Sequence, residues 1–85
     1  MVKEISYTDE FKRAVKKIRD SAIKERVKKQ IDEIRGRPDI GKPLRFERKG
    51  ERTVWVPPFR IIYSWELETE KLCFIDFEKR NKVYR

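Results

Sequence analysis

Hydrophobic residues recur along this chain in two rhythms, and the change from one to the other falls near Gly41. Before it, apolar positions return every three or four residues: Phe11, Ala14, Val15 and Ile18, then Ile23, Val27, Ile31 and Ile34. That spacing lines one face of a helix. Thr8 offers an N-cap hydroxyl ahead of the first stripe, with Asp9 and Glu10 in the turn where the helix dipole favours anions. Asp20 and Ser21 break the pattern; Ser21 is placed to cap a second helix, which Gly36 and Pro38 end. Two short amphipathic helices joined by so few residues predict an antiparallel hairpin with one apolar side.

After Gly41 the rhythm becomes alternating. Leu44 and Phe46 alternate with charged residues, and Lys49 with Gly50 supplies a hairpin turn. Val54 and Val56 share one face of the next strand, with Thr53 and Trp55 on the other. Pro57 and Pro58 forbid regular ladder pairing and require a kink or bulge. A further strand runs from Phe59 to Trp65, the polar stretch from Glu66 to Glu70 forms a turn, and a last strand begins at Lys71 and reaches Phe77. Val2, Ile5 and Tyr7 give a weaker alternating start. The order is β-α-α-β-β-β-β, an α+β fold in which a helical hairpin packs on one face of an antiparallel sheet. The 85 residues contain no repeat, low-complexity segment or linker, and a chain of this length supports one core. A single domain spanning 1–85 is expected.

Alternation also assigns faces. Phe59, Ile61, Tyr63 and Trp65 form the more apolar side of their strand and should meet the helices. Arg60 then projects onto the uncovered side with Ile62 and Ser64. A cation desolvated within a sheet needs an anion to meet it. Phosphate is the partner expected here; the alternative is a cross-strand salt bridge to a carboxylate.

Charge changes the picture next. There are 23 Lys and Arg against 15 Asp and Glu, a net charge of +8. The 45% charged content and the absence of histidine resemble a thermophile's composition. Ion-pair networks need both signs, so heat tolerance leaves the positive excess unexplained. A small basic domain points to an acidic partner, nucleic acid or acidic protein. Without histidine, Ser-His-Asp and Cys-His catalysis are excluded, and the lone Cys73 can neither close a disulfide within the chain nor build a metal site. Cys73 lies in an apolar run and reads as a small buried hydrophobe. No cofactor is implied. No signal peptide and no membrane-spanning stretch is present, so a cytoplasmic protein without a membrane partner is expected.

The remaining chemistry is cationic and aromatic. Arg45, Arg48, Lys49 and Arg52 surround the first hairpin, Arg60 follows, and Lys79, Arg80, Lys82, Tyr84 and Arg85 close the chain. Such groups suit RNA cleavage by the RNA's own 2′-hydroxyl, which asks a protein for in-line placement, charge stabilisation and proton relay. Arginines supply the charge stabilisation with forked donors. Trp55, opposite Val54 and Val56, is the candidate for stacking on a base; packing under a loop is the alternative. Lys16, Lys17, Lys24, Lys28 and Lys29 belong to solvated helix faces.

In the stretch from Ile40 to Arg45, in Lys49 to Arg52, in Val56, in Phe59 to Tyr63, and in Lys79, Arg80, Val83 and Tyr84, the chain resembles the RelE/ParE superfamily of type II toxin–antitoxin toxins. The RelE branch of that superfamily cleaves messenger RNA in the ribosomal decoding site with arginines, lysines and a C-terminal tyrosine. The resemblance implies that Arg60 stabilises the scissile phosphate. It implies that Arg80 contacts phosphate and protonates the leaving oxygen, and that Tyr84 stacks on or orients the nucleotide. Arg45, Lys49, Arg52, Trp55, Lys79, Lys82 and Arg85 would bind the RNA.

One departure keeps alternatives open. Active RelE-type members often carry two basic residues alternating on the strand before the arginine strand, where this chain has Thr53 and Trp55. Lys49 and Arg52 are candidates to compensate. ParE-type members share the fold and poison DNA gyrase instead, and a third reading is a non-catalytic basic module that helps an antitoxin hold operator DNA. The implied partners are a cognate acidic antitoxin, the ribosome with its message, and operator DNA through the antitoxin complex. The expected apolar anchors for the antitoxin are stripe ends near Val15, Ile18 and Ile23.

Overall fold

The computed structural model describes residues 2–79. Strand β1 (Glu4–Tyr7) leads into helices α1 (Asp9–Lys16) and α2 (Ser21–Gly36). A two-residue strand β2 (Lys42–Pro43), a 3-10 turn (Phe46–Arg48) and strands β3 (Glu51–Val56), β4 (Phe59–Glu66) and β5 (Lys71–Lys79) follow. The helices begin as side-chain caps dictate. The Thr8 hydroxyl accepts from the Phe11 N–H at 3.0 Å, and Asp20, rather than Ser21, caps α2 by accepting from Ala22 and Ile23.

The sheet has the order β1-β5-β4-β3-β2. From β2 to β5 each neighbour is antiparallel, but β1 runs parallel to β5. The α+β architecture is the expected one, with a mixed sheet in place of an antiparallel one. A helical hairpin, not a tight turn, joins β1 to the rest, so nothing obliges β1 to reverse against its neighbour.

The core lies between helices and sheet. Phe11, Ile18, Val27 and Ile34 from the helical segment meet Val56, Ile61, Tyr63, Leu72, Phe74 and Phe77 from the sheet. Val15 and Ile23 are half-buried against the same cluster, and Ile18 belongs to it. These three residues are therefore not exposed antitoxin anchors, because the stripe that marks a helix's apolar side is also the stripe the sheet covers.

Two features reshape the face away from the helices. The β4–β5 register shifts between Ile62 and Tyr63, leaving Ile75 as an extra residue. Leu72 and Phe74 point into the core before the bulge and Phe77 after it, so Asp76 and Glu78 emerge together on the outer face. Cys73, opposite Ser64 on that outer face, is half-buried and not a core residue. The second feature corrects an expected strand. The Leu44 N–H donates a last bond to the Glu51 carbonyl at 2.9 Å, and there the pairing stops short of Phe46: the chain turns over the sheet, and Phe46 takes a left-handed backbone (φ 58°) and is 84% exposed. Arg48, at the end of this turn, reaches both Glu51 on β3 and Asp76 on β5. Asp76 is paired with Ile62 on β4 and Glu51 with Ser64 two residues on; Ile62 is wholly buried although it faces away from the helices.

Candidate functional site

The outer face is built in cross-strand rows, because residues paired in register project to the same side. One row carries Lys42, Thr53, Ile62 and Asp76 from β2 to β5. The next carries Trp55, Arg60 and Glu78. Beside them the turn after β2 brings Leu44 and Arg45. Lys42, Leu44, Arg45, Thr53, Trp55 and Arg60 line a hollow of about 350 Å³. Arg60 thus lies on the uncovered face, as alternation requires.

Its anion in this structure is internal. Arg60 donates from Nε (2.9 Å) and Nη2 (2.7 Å) to the same oxygen, Oε2 of Glu78. A cross-strand salt bridge of this kind holds the guanidinium plane against the sheet. Nη1 makes no hydrogen bond to a described residue, so donors remain on the side of the hollow. Lys42 and Arg45 meet no carboxylate among the described residues. Trp55 is 45% exposed at the rim, directly opposite Arg60.

Arg48 serves a different purpose. It is half-buried, and burial alone would lower its pKa; hydrogen bonds to Glu51 and Asp76, with the attraction of both carboxylates, outweigh that and leave it raised. With both carboxylates bound to it, Arg48 fastens the turn that forms one wall of the hollow.

Arg52 faces the other way. Paired with Tyr63, it stands on the helix side of the sheet and donates from Nη1 to the carbonyls of Asp39 (3.1 Å) and Gly41 (2.7 Å). Tyr63 completes this staple: its hydroxyl accepts from the Gly41 N–H and donates to the Pro38 carbonyl, each at 2.8 Å. Gly41 is the residue that allows the close approach, since a Cβ there would lie 2.5 Å from the Tyr63 oxygen and 2.9 Å from Arg52 Cβ. Arg52 also borders a second hollow of about 600 Å³ beyond the end of α2, with Arg37, Asp39, Trp65 and Leu67. That space is larger, but it lies across the sheet from Arg60.

The structure therefore brings together Arg45, Trp55 and Arg60 of the residues singled out from the sequence, and separates Arg52 from them. Lys49 is exposed at the end of the 3-10 turn and does not line the hollow. Lys79, opposite Phe59, is exposed on the helix side at the end of β5. Arg80, Lys82, Tyr84 and Arg85 lie outside the described residues. Lys42 and Thr53 were not singled out as binding residues. The signal for Lys42 is its alternation with Pro43, and it surfaces only once β2 is recognised in two residues. Among the described residues, no cluster of His, Cys, Asp or Glu is arranged to hold a metal, and no helix is long and apolar enough to cross a membrane.

Comparison with known proteins adds the family context. The sequence profile of the ParE toxin of type II toxin–antitoxin systems (parDE) matches residues 5–84. No curated protein sequence is significantly similar. Among solved structures, the RelBE2 toxin–antitoxin complex from Mycobacterium tuberculosis is similar at a TM-score of 0.76 and 20% identity, over 94% of this chain and 100% of that one. A YoeB/ParE toxin from Agrobacterium tumefaciens gives 0.79 and 15%, over 92% and 99%. The archaeal RelE–RelB complex from Pyrococcus horikoshii OT3 gives 0.75 and 15%, over 98% and 100%. At these identities the likeness is one of fold.

Proposed function

The chain belongs to the ParE toxin family of type II toxin–antitoxin systems, within the RelE/ParE superfamily, and from that premise we propose that it is a metal-independent endoribonuclease that cleaves messenger RNA on the ribosome. The observation that carries this reading is the hollow on the outer face: Lys42, Arg45 and the Nη1 side of Arg60 surround it, with Trp55 at its rim. Three cations around a space of this size suit one phosphodiester, and an exposed tryptophan beside them suits the attached base.

In the proposed reaction the 2′-oxygen of the message attacks the adjacent phosphorus. The P–O5′ bond breaks, leaving a 2′,3′-cyclic phosphate and a 5′-hydroxyl; the proton lost from the 2′-hydroxyl is balanced by one gained at the 5′-oxygen. Arg60, Arg45 and Lys42 stabilise the extra negative charge of the phosphorane. Protonation of the 5′-oxygen falls to Arg80 and orientation of the nucleotide to Tyr84, as the RelE resemblance implies; the 2′-hydroxyl proton passes to solvent, and the ribosome holds the message in line. A cognate antitoxin of acidic character is the proposed inhibitor; the M. tuberculosis and P. horikoshii relatives were solved as toxin–antitoxin complexes.

A second reading has its own support. The matching profile is that of ParE, Thr53 and Trp55 stand where RelE-type members often have bases, and Arg60 is engaged by Glu78. Those facts favour a gyrase poison. Primer extension on message after induction separates the two. The nuclease reading expects discrete stops with the wild type that fall at least tenfold with Arg60→Ala. Intact message together with loss of gyrase supercoiling activity in vitro would replace it with the ParE-like reading.

A further inference from the structure

Thr53 is the one buried side chain among the described residues whose polar atom has no hydrogen-bond partner. The residue is 9% exposed and lines the hollow, in register with Lys42 on one side and Ile62 on the other. An unpaired buried hydroxyl carries a desolvation cost that an isosteric valine would not. Valine is also the better strand former, and the same strand uses it at Val54 and Val56. A hydroxyl at this place, carrying those two penalties, is explained by a partner that arrives from outside. The neighbouring groups say what kind. Lys42, directly across from Thr53, and Arg60, diagonal to it on β4, are both cationic and line the hollow, so the hollow favours an anion. Its volume is near the small end of ligand pockets, which run from roughly 300 to 1,000 Å³, and matches a single nucleotide rather than a duplex.

We propose that Thr53 is a phosphate-binding residue, its hydroxyl donating to a non-bridging oxygen of a nucleotide phosphoryl group seated between Lys42, Arg45 and Arg60. The proposal rests on the nucleotide-binding reading of the hollow and deepens it: it assigns a ligand contact to a position with no charge. A change of χ1 rotamer turns the hydroxyl without moving the backbone. Thr53 then contributes the directional bond and the cations the attraction, a division that also lets the site bind a free mononucleotide without the ribosome.

The test is calorimetric titration of the purified chain with adenosine 3′-monophosphate, and separately with inorganic phosphate and adenosine. Thr53→Val should bind adenosine 3′-monophosphate and inorganic phosphate about tenfold more weakly, as expected for losing a hydrogen bond to a charged group. Its Tm should equal or exceed that of the wild type, and Thr53→Ser should recover most of the affinity. Equal affinity of Thr53→Val and wild type, a lowered Tm of Thr53→Val, or no binding of either phosphate probe to the wild type would overturn the proposal. So would a loss confined to adenosine. The titration needs no cleavage. Intact message in cells with Thr53-dependent phosphate binding removes the nuclease reading and keeps this one, whereas cleavage with an unaffected Thr53→Val does the reverse.

Discussion

Two side chains of similar chemistry, Arg52 and Arg60, end on opposite sides of the sheet and do unrelated work. Arg60 is bound by Glu78 beside it, and its Nη1, which makes no hydrogen bond to a described residue, is the donor left for the proposed phosphate in the hollow. Arg52 is spent on two backbone carbonyls and, with Tyr63, ties the segment after α2 to β3. Tyr63 carries a consequence for pH. Burial raises its pKa above the ordinary tyrosine value, since the phenolate would lose solvent and would displace the proton donated to Pro38. A group with a raised pKa in the folded state contributes stability that is complete below the unfolded value, about 10, and is lost as pH climbs toward the folded value. Chemical denaturation at rising pH should therefore show stability falling above about pH 10. Tyr63→Phe should cost about 1–3 kcal/mol at neutral pH, by stranding the Gly41 N–H and the Pro38 carbonyl, and should flatten the alkaline decline. An equally steep decline in the variant would reject Tyr63 as its source.

Elements here are joined by single residues that satisfy two of them at once. Thr8 caps α1 through its accepting lone pair and donates the same hydroxyl to the Ile75 carbonyl at 2.6 Å, at the bulge in β5. The bulge in turn delivers Asp76 to Arg48 and Glu78 to Arg60. Thr8→Ala removes both bonds and should lower stability by about 1–2 kcal/mol in urea denaturation, mostly the value of an N-cap. Because the bulge also sets the register of Asp76 and Glu78, the variant should show faster amide exchange at β5 residues near Ile75. A stability loss with unchanged exchange there would confine the role of Thr8 to the helix. The 3-10 turn depends on the same logic: an exposed Phe46 with a left-handed backbone is tolerated because Arg48 anchors the far end.

For the molecule as a whole, the net charge of +8 is unevenly used. The helix lysines Lys16, Lys17, Lys24, Lys28 and Lys29 are solvent-exposed on the far side of the core, while among the described cations Lys42, Arg45 and Arg60 border the hollow. Binding of a short single-stranded RNA should then show the shallow salt dependence that contact with about one phosphate requires, a log–log slope of about −0.7, and Arg45→Ala should make it shallower still. A slope unchanged by Arg45→Ala would place the RNA on the helix lysines or elsewhere. Association with an acidic antitoxin should likewise slow as salt rises, since long-range attraction acts mainly on the encounter rate.

The hydrophobic rhythm alone determined the two helices, the four longer strands and their succession along the chain, and the placing of Arg60 on the face opposite Ile61 and Tyr63, because these follow from periods of 3.6 and 2 that any register preserves. Cap chemistry at Thr8 and the end of α2 at Gly36 were equally local. Tertiary structure decided the rest. Whether Arg60 finds a carboxylate, and whether Arg52 joins it, depends on which strands become neighbours and where one extra residue breaks the pairing, and no short-range preference encodes that. Strand β2 is two residues long and the turn after it is shaped by carboxylates on β3 and β5, one of them 28 positions away from Arg48. The hollow is made by that turn, so its floor at Thr53 and its wall at Lys42 exist only once the chain has folded back across its own sheet.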